Sequence, residues 1–465
     1  MNSVGLIGLG VMGENLARNI ASKGFPVVVY NRTAEKTDRL VSSVKQVLDI
    51  RPSYSFSELA AMLERPRQII IMVEAGKPVD MVLEQLTPYL SRGDILFDCG
   101  NSHYRDTGRR QAMLEKHGVV LMGVGVSGGE EGALKGPSVM AGGLKQGFEA
   151  SRHLWESIAA KADGEPCAGY MGGGGAGHFV KMVHNGIEYA ILQLIAETYD
   201  IMKTGLGMTA DGISVVFREW GRAELSSFLI EIAADVLAFK DPETGVPLVE
   251  LVLDKAGQKG TGRWCVQTAA ELGVPTPSID AAVSARNISA LKNLRIQLHD
   301  VYGERSKHRV SNDVVEKLRK AYWCSMVMSF VQGLTIIQSG SQAYGYGTSL
   351  DEVLRVWRNG CIIRAAVLKD LREALKAVGD AQYLLKSDQL VREVVSRVDG
   401  WRDVIIYAKQ AGIPTPVLDA SYNYFISMTR KALPANIIQA LRDRFGSHTY
   451  ERVDKPGIYH SSWRP

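Results

Sequence analysis

The first third of the chain alternates short apolar runs with longer stretches in which polar and apolar residues are mixed. The apolar runs are rich in β-branched residues, which favour β-strands. They lie at Val4–Gly8, Val27–Tyr30, Ile69–Val73, Ile95–Asp98 and Val119–Val124. Because strands that alternate with helical stretches are typical of βαβ units, the pattern predicts a parallel sheet in an α/β domain.

The pattern changes after the glycine cluster Gly172–Gly175. Long amphipathic stretches such as His178 through Met202 follow, with little strand signal as far as Leu433. We therefore expect the second region to be mostly helical. Within it, Val216–Trp220 (VFREW) resembles Val353–Trp357 (VLRVW), which suggests a duplicated helical unit, although a match this short also arises by chance.

The closing segment begins after Pro434 and ends in GIYHSSWRP, which is rich in turn formers and aromatic residues. A tail of this composition needs a surface to lie on, and we expect another subunit to provide that surface.

Composition narrows the class of protein. The 465 residues are 46% hydrophobic and 22% charged, as in folded rather than disordered proteins, and they exceed what a single core usually organises. A net charge of +4 is too small to indicate a nucleic-acid or membrane-surface partner. The cysteines are scattered and never form a CxxC pair, which disfavours a disulfide framework and a zinc site. With no targeting segment and no apolar window long enough to span a membrane, we expect a cytoplasmic protein.

A glycine-rich motif lies between the first apolar run and the helical stretch that follows it. Its residues are Gly8, Leu9, Gly10, Val11, Met12 and Gly13. A GxGxxG motif between a strand and a helix is typical of a dinucleotide-binding turn. The first glycine permits a tight bend, the second lets the backbone approach a pyrophosphate, and the third lets the helix pack on the strand. The positive end of the helix then attracts the anion.

The second predicted strand is followed by Asn31, Arg32 and Thr33. An NAD-binding domain usually has Asp or Glu here to bind the ribose hydroxyls, whereas a guanidinium can pair with the 2′-phosphate of NADP. NADP is therefore predicted in preference to NAD. The alternative is that Arg32 is only a solvated residue after a strand.

One apolar helical stretch carries four polar side chains on one face. Lys181, Asn185, Glu188 and Tyr189 follow helical spacing within KMVHNGIEY, and the residues around them are mostly apolar. Polar stripes are usually solvated surfaces, but ionisable groups on a buried helix are unfavourable unless they serve a function. This stretch is therefore interpreted as a candidate catalytic site.

Several long motifs, in order, resemble the decarboxylating 6-phosphogluconate dehydrogenases from one end of the chain to the other. They are GLIGLGVMGENLARNI, DCGNSHYRDT, GVSGGEEGALKGPSVMAGG, GAGHFVKMVHNGIEY, DKAGQKGTGRW and IIQALRDRFGSHTYE. The resemblance implies an α/β Rossmann-type N-terminal domain, a large all-α domain with an internal duplication, and a C-terminal tail that reaches the partner subunit of a homodimer. We expect these regions at residues 1–176, 177–433 and 434–465. It also implies oxidation of 6-phospho-D-gluconate by NADP and decarboxylation to D-ribulose 5-phosphate, without a metal.

The resemblance implies roles for individual residues. Lys181 would be the general base and later the general acid, and Glu188 would be the general acid of the last step. Substrate-binding residues would be Asn101, Ser127, Gly128, Gly129, His184, Asn185, Tyr189, Lys259, Thr261 and Arg286, with Arg442 and His448 of the partner subunit. Cofactor-binding residues would be Val73, Glu74, Ala75 and Asn101, together with the glycine-rich motif and Asn31, Arg32 and Thr33.

Glu74 departs from the family, in which a lysine is common at this position. Its carboxylate would oppose binding of a 2′-phosphate, which leaves room for NAD. Two other functions stay open. One is an NADP-dependent β-hydroxyacid dehydrogenase that acts on another acid and would not need Arg286 and Arg442 together. The other is a non-catalytic NADP-binding scaffold, against which the presence of both Lys181 and Glu188 argues.

Overall fold

The computed structural model describes residues 2–45, 47–303 and 313–463. Residues 304–312 of the predicted helical domain and residues 464–465 of the predicted tail therefore lie outside the described residues. In the described ranges, no helix is long and apolar enough to cross a membrane.

The N-terminal region forms an eight-stranded sheet. Its strands are β1 Val4–Ile7, β2 Val27–Tyr30, β3 Ile50–Ser53, β4 Gln68–Ile71, β5 Ile95–Asp98, β6 Val120–Ser127, β7 Ser138–Gly142 and β10 Ala168–Gly172. A separate hairpin of β8 Lys161–Ala162 and β9 Glu165–Pro166 precedes β10 in the chain. Six strands are parallel in the order β3-β2-β1-β4-β5-β6, which is the Rossmann order. Sheets of this kind bind ligands where the order reverses, here between β1 and β4.

The five predicted strands are confirmed as β1, β2, β4, β5 and β6. The sequence pattern did not indicate β3, β7 and β10. β3 is an edge strand that contains Pro52, which an edge tolerates because proline has no N–H to donate. At the other edge, β7 runs antiparallel to β6 and β10 runs parallel to β7. The sheet is thus parallel in its Rossmann part and mixed at the edge that faces the helical region.

Helices cover the sheet on both faces. They are α1 Val11–Ser22, α2 Ala34–Val44, α3 Phe56–Ala61, α4 Lys77–Leu86, α5 Tyr104–Glu115, α6 Gly129–Lys135 and α7 Lys145–Ile158. Two apolar clusters form the core of this domain, and β1 contributes alternate residues to each: Leu6 packs in one cluster and Ile7 in the other. This arrangement explains why the central strands are apolar at nearly every position.

The region after β10 is helical, as predicted. Its helices are α8 Ala176–Asp200 with a π-helical turn at Ile201–Gly205, α9 Ala210–Gly221, α10 Phe228–Ala238, α11 Thr261–Glu271, α12 Pro277–Ala290, α13 Lys292–Tyr302, α14 Val314–Tyr344, α15 Leu350–Val356, α16 Val367–Val378, α17 Asp388–Val395, α18 Val398–Gln410 and α19 Pro416–Thr429. Between residues 177 and 433, the described strand pairing is limited to two isolated bridges, one of which joins Ser227 to Ala365.

The same order of features occurs twice in the helical region. The long helices α8 and α14 lie at its centre, and each is followed by a short helix with a hydroxyl N-cap and a buried tryptophan, Trp220 near the end of α9 and Trp357 after α15. Later, α12 and α19 both begin within a Thr-Pro sequence. Gln332 of α14 accepts a hydrogen bond from the first turn of α12, and Glu197 of α8 accepts two from the first turn of α19. Each of the two long helices therefore binds, through one side chain, the first turn of a helix in the other half.

The C-terminal tail forms α20 Ala435–Gly446 and a hairpin of β11 Tyr450–Glu451 and β12 Ile458–Tyr459. Asp443 holds this unit together because its carboxylate accepts hydrogen bonds from the backbone of Thr449 and Ser461 and from the indole of Trp463. These hydrogen bonds and His460 hold the pKa of the Asp443 carboxyl well below its ordinary value, although burial opposes the shift. One face of α20 remains bare and apolar. It exposes Ile437, Ile438, Leu441 and Phe445.

Candidate active site

Helix α8 packs directly against strands β6 and β7 of the sheet. A Cβ at Gly177 would lie 2.2 Å from the Gly123 oxygen of β6, so only glycine permits this approach. A Cβ at Gly125 would lie 2.5 Å from the Lys181 Cβ, so Gly125 makes room for the Lys181 side chain. The glycines of β6 and α8 thereby place Lys181 between the two domains, where it is buried.

A chain of polar contacts runs from the sheet into α8 and on to α11. The Ser127 hydroxyl, at the end of β6, lies 3.1 Å from His184 Nε2. His184 Nδ1 lies 3.4 Å from Lys181 Nζ and 3.1 Å from Asn185 Oδ1. The Asn185 amide donates in turn to Thr261 Oγ1 at 3.2 Å. The predicted substrate-binding residues Ser127, His184, Asn185 and Thr261 thus meet around Lys181.

The buried position shifts the pKa values of the two proposed catalytic groups, Lys181 and Glu188, in opposite directions. Burial lowers the pKa of Lys181, an effect that the negative charge of Glu188 opposes. Burial raises the pKa of Glu188, an effect that Lys181 and Arg286 oppose. Burial also holds the pKa of His184 well below its ordinary value, and the charge of Lys181 adds to that shift. Desolvation disfavours the charged form of each group, so burial shifts the amine and the carboxyl toward their neutral forms.

Glu188 lies one turn beyond His184, with 3.8 Å between His184 Nδ1 and Glu188 Oε2. Its side chain is 22% exposed, so it faces the opening of the site rather than the core. The carboxyl can therefore reach a bound molecule that also contacts Lys181.

The loop after β6 presents small residues to the site. Gly128 has φ +119° and Gly129 has φ +64°, conformations that favour glycine. A Cβ at Gly128 would also lie 2.6 Å from the Gly360 oxygen. This close contact is made by the segment Trp357–Arg364, which belongs to the second half of the helical domain.

That segment adds neighbours to the site that the sequence analysis missed. The Ile362 N–H donates to the Ser127 hydroxyl at 3.4 Å, and the Ser138 N–H donates to the Gly360 oxygen at 2.7 Å. Cys361, which lies between Gly360 and Ile362 in the chain, is buried, and its thiol donates to the Trp357 oxygen at 3.1 Å. No local sequence signal indicates these contacts, because they join positions more than 100 residues apart.

Arg286 and Tyr189 form the outer wall of the site. The guanidinium of Arg286 lies 3.5 Å from the centre of the Tyr189 ring and donates to the Gly257 oxygen at 3.2 Å. A Cβ at Gly262 would lie 2.5 Å from the Tyr189 ring, so the start of α11 also packs here. Lys259 lies in the exposed loop just before that helix. The structure thus brings Tyr189, Thr261 and Arg286 together and leaves Lys259 at the rim.

Three predicted substrate residues do not join this network within the chain. Asn101 is exposed beyond the carboxyl end of β5. Arg442 and His448 are exposed on the tail, where Arg442 donates to Gln439 at 3.2 Å. Across the described ranges, neither residue forms a hydrogen bond or ion pair with α8.

The glycine-rich motif forms the turn between β1 and α1. Gly8 has φ +100°, and a Cβ at Gly13 would lie 1.9 Å from the Gly8 oxygen, so both positions require glycine. A Cβ at Gly10 would meet no atom within 4 Å, which leaves the N-terminus of α1 open to a ligand. The Leu9 N–H donates to Asn31 Oδ1 at 2.9 Å and fixes the turn against the end of β2.

A cavity of about 390 Å³ lies beside this turn. Six predicted cofactor residues line it: Gly8, Asn31, Arg32, Thr33, Val73 and Glu74. Leu9, Gly10, Val11, Met12, Gly13, Ala75 and Asn101 lie outside its lining. The sequence analysis missed Lys36, which lines the cavity from the first turn of α2. Lys36 follows Arg32 by four residues at the start of a predicted helix, and this spacing is the signal that could have identified it. Two cations and the Glu74 carboxylate thus share the cavity.

Two family models match the chain. The model described as the NAD binding domain of 6-phosphogluconate dehydrogenase matches residues 3–172. The model described as the 6-phosphogluconate dehydrogenase C-terminal domain matches residues 177–463.

Full-length relatives agree with the family models. The 6-phosphogluconate dehydrogenase, decarboxylating, of Synechococcus elongatus is 48% identical over 100% of this chain and 99% of its own length. The NADP(+)-dependent, decarboxylating 6-phosphogluconate dehydrogenase of Bacillus subtilis is 47% identical over 99% of this chain and 98% of its own length.

A solved structure also matches. Plasmodium falciparum 6-phosphogluconate dehydrogenase, solved in its apo form and in complex with its cofactor NADP+ and its substrate 6-phosphogluconate, superposes with a TM-score of 0.95. It is 39% identical and covers 99% of this chain and 100% of that one. Because the family models and these alignments together span nearly the whole chain, it belongs to the 6-phosphogluconate dehydrogenase family.

Proposed function

We propose that the chain catalyses the oxidative decarboxylation of 6-phospho-D-gluconate to D-ribulose 5-phosphate and carbon dioxide, with reduction of NADP. The observation that carries this proposal is the single face of α8 that holds an amine with a lowered pKa beside a carboxyl with a raised pKa. Such shifts favour a neutral amine, which can accept a proton, and a protonated carboxyl, which can donate one. Family membership and the NADP dependence of the Bacillus subtilis relative support the choice of substrate and cofactor.

The residues around the glycine-rich turn fit a phosphorylated dinucleotide. Gly10 leaves open space over the N-terminus of α1, where a pyrophosphate would bind. Arg32 and Lys36 line the neighbouring cavity and would hold the 2′-phosphate that distinguishes NADP from NAD. Glu74 lines the same cavity and opposes them, so the balance of these three charges sets the cofactor preference. The bound oxidised nicotinamide ring supplies the hydride acceptor.

Lys181 would begin the reaction as a general base. Its lowered pKa favours the neutral amine, which would remove the proton of the C3 hydroxyl as hydride leaves C3. The ammonium that results would polarise the new C3 carbonyl oxygen, so that the bond between C1 and C2 breaks and carbon dioxide leaves. The electron pair of that bond then forms an enediol between C2 and C3.

Glu188 would complete the reaction as a general acid. Its raised pKa favours the protonated carboxyl, and its position at the opening of the site would allow that proton to reach C2, which becomes C1 of the product. Lys181 would take back the proton of the C3 hydroxyl as the ketone of the product forms.

The two ends of the substrate need different partners. Ser127, Gly128 and Gly129 would hold the carboxylate, with Asn101, His184 and Asn185 on the hydroxyls. The phosphate would be held by Tyr189, Lys259, Thr261 and Arg286, together with Arg442 and His448 of the partner subunit.

The proposed homodimer is supported by exposed apolar surface in the tail and in the helical domain. The bare face of α20 and the residues Leu294, Ile296, Leu298 and Val301 of α13 are all at least 46% exposed, which is unusual for an isolated chain. Burial of α20 of the partner subunit on this chain would also bring Arg442 of the partner subunit to the phosphate. The five cysteines are unpaired and buried, which supports the proposed cytoplasmic location.

The test is to follow reduction of NADP or NAD with 6-phosphogluconate while trapping the carbon dioxide released. Reduction with stoichiometric carbon dioxide supports the reaction, and the faster cofactor shows whether Arg32 and Lys36 or Glu74 dominates. Lys181→Met should lower turnover by about 10²- to 10⁴-fold while the dissociation constant for NADP stays unchanged. Reduction without carbon dioxide, or an active Lys181→Met enzyme, would contradict the assignment.

A further inference from the structure

A second pocket is lined by residues of the Trp357–Arg364 segment other than those that contact the active site. It has a volume of about 560 Å³ and lies between the β8–β9 hairpin and the start of α16. Its lining includes four cationic side chains, Lys161, Arg358, Arg364 and Lys369, and one carboxylate, Asp163. Neither the reaction nor the cofactor uses these residues.

Two of the four cations are held in place by carboxylates. Arg358 forms an ion pair with Asp163, and Arg364 donates to Glu231 at 3.2 Å. Lys161 and Lys369 have no ion-pair partner among the described residues. The pocket therefore combines two fixed guanidinium groups with two uncompensated ammonium groups.

Additional groups favour an anion there. Ala365 and Ala366 line the pocket, and Ala366 is the N-cap residue of α16, a helix of 12 residues. The positive end of the helix dipole therefore lies at the pocket, although the N–H groups of Ala366, Leu368 and Lys369 already donate to backbone oxygens of the chain. The Asn359 amide, which also lines the pocket, donates to the Lys161 oxygen at 2.8 Å and ties the two walls together. The volume lies in the range of sites for small molecules rather than for single ions.

We propose that this pocket binds a phosphorylated small molecule and that its occupancy is communicated to the active site. Phosphate is the chemical group that matches a cluster of Lys and Arg side chains at a helix N-terminus. A single segment carries both functions: Arg358, Asn359 and Arg364 face the pocket, whereas the residues between them contact the active site.

The route of communication is short. Gly360 contacts Gly128 and accepts a hydrogen bond from Ser138, and Ile362 donates to Ser127. A ligand that draws Arg358 and Arg364 together would therefore shift the backbone behind the loop proposed to hold the substrate carboxylate. The expected effect is a change in KM for 6-phosphogluconate.

Binding is tested by calorimetric titration of inorganic pyrophosphate into the full-length Lys181→Met enzyme, with 6-phosphogluconate and NADP present at saturation to occupy the active site. We expect one pyrophosphate per chain. Lys161→Gln with Lys369→Gln should weaken this binding by about tenfold. The matched control, Lys116→Gln with Lys145→Gln, removes the same charge from exposed positions elsewhere on the Rossmann-type domain and should leave binding unchanged. No binding, or equal binding in both double variants, would overturn the proposed site.

Communication is tested separately on enzymes with an intact Lys181. Saturating pyrophosphate should change KM for 6-phosphogluconate in the wild-type enzyme and in the control double variant, but not in Lys161→Gln with Lys369→Gln. An equal change in all three enzymes would show that pyrophosphate acts in the substrate site, and no change in the wild-type enzyme would show that the pocket is not coupled. Either result overturns the second part of the proposal. Because the titration needs no turnover, it separates failure of this site from failure of the proposed reaction.

Discussion

Glu197 links the two halves of the helical domain and makes the stability of that link depend on pH. It is 2% exposed on α8, and its two oxygens accept hydrogen bonds from the Val417 and Leu418 N–H groups at 2.8 and 2.9 Å. Burial raises the pKa of Glu197 to about 7, although these hydrogen bonds oppose the shift. The nearby Asp419 carboxylate adds to the increase.

The size of the effect follows from the difference between the ordinary pKa of 4.5 and the value of about 7 in the folded chain. At about 1.4 kcal/mol for each unit of pKa, this difference corresponds to about 3 kcal/mol in the free energy of unfolding. A carboxyl whose pKa is raised on folding binds its proton more tightly in the folded state. Its contribution to the free energy of unfolding is therefore complete below about pH 4.5 and is lost as the pH rises to about 7.

The assay is urea unfolding followed by circular dichroism, repeated at several pH values from about 5 to about 8, for the wild-type chain and for Glu197→Gln. The amide keeps the shape of the side chain, and Gln332 shows that glutamine can bind the first turn of the equivalent helix, since its Oε1 accepts from the Ser278 N–H at 3.0 Å. On raising the pH, the wild-type chain should lose about 3 kcal/mol relative to Glu197→Gln. The exposed Glu115→Gln is the control and should behave as wild type. A difference between wild type and Glu197→Gln that does not vary with pH would refute the reasoning.

Three further predictions concern the proposed active site. Glu188→Gln should move the acid limb of kcat/KM to lower pH, because the ionised fraction of Glu188 raises the pKa of Lys181 and the amide carries no charge; an acid limb that stays in place or moves to higher pH would contradict this coupling. Glu74→Lys should tighten NADP by about fivefold and leave NAD unchanged in equilibrium titrations, whereas Lys36→Met should weaken NADP alone; equal effects on the two cofactors would separate these residues from the 2′-phosphate. Arg442→Met should raise KM for 6-phosphogluconate by about tenfold or more without a similar change for NADP, and matching changes would rule out its proposed contact with the substrate phosphate.

The sequence alone predicted several local features that are formed by residues close together in the chain. The spacing of Gly8 and Gly13 between an apolar run and a helical stretch predicted the cofactor turn. A tight turn is formed by consecutive residues, so its conformational requirements can be read from the local sequence. The helical period likewise placed Lys181 and Glu188 on one face of α8. The apolar runs predicted the central strands for the same reason, since a strand buried on both faces is apolar at nearly every position.

Only the tertiary structure decided what surrounds those residues. The contact of Ile362 with Ser127 and the bonds from Glu197 to the first turn of α19 join positions far apart in the chain, so no local period indicates them. Which strand becomes an edge, as β3 does, depends on the order in which strands pair rather than on their own residues. The protonation of Lys181 and Glu188 also depends on burial by the whole fold, because desolvation is set by every element that excludes water from the site.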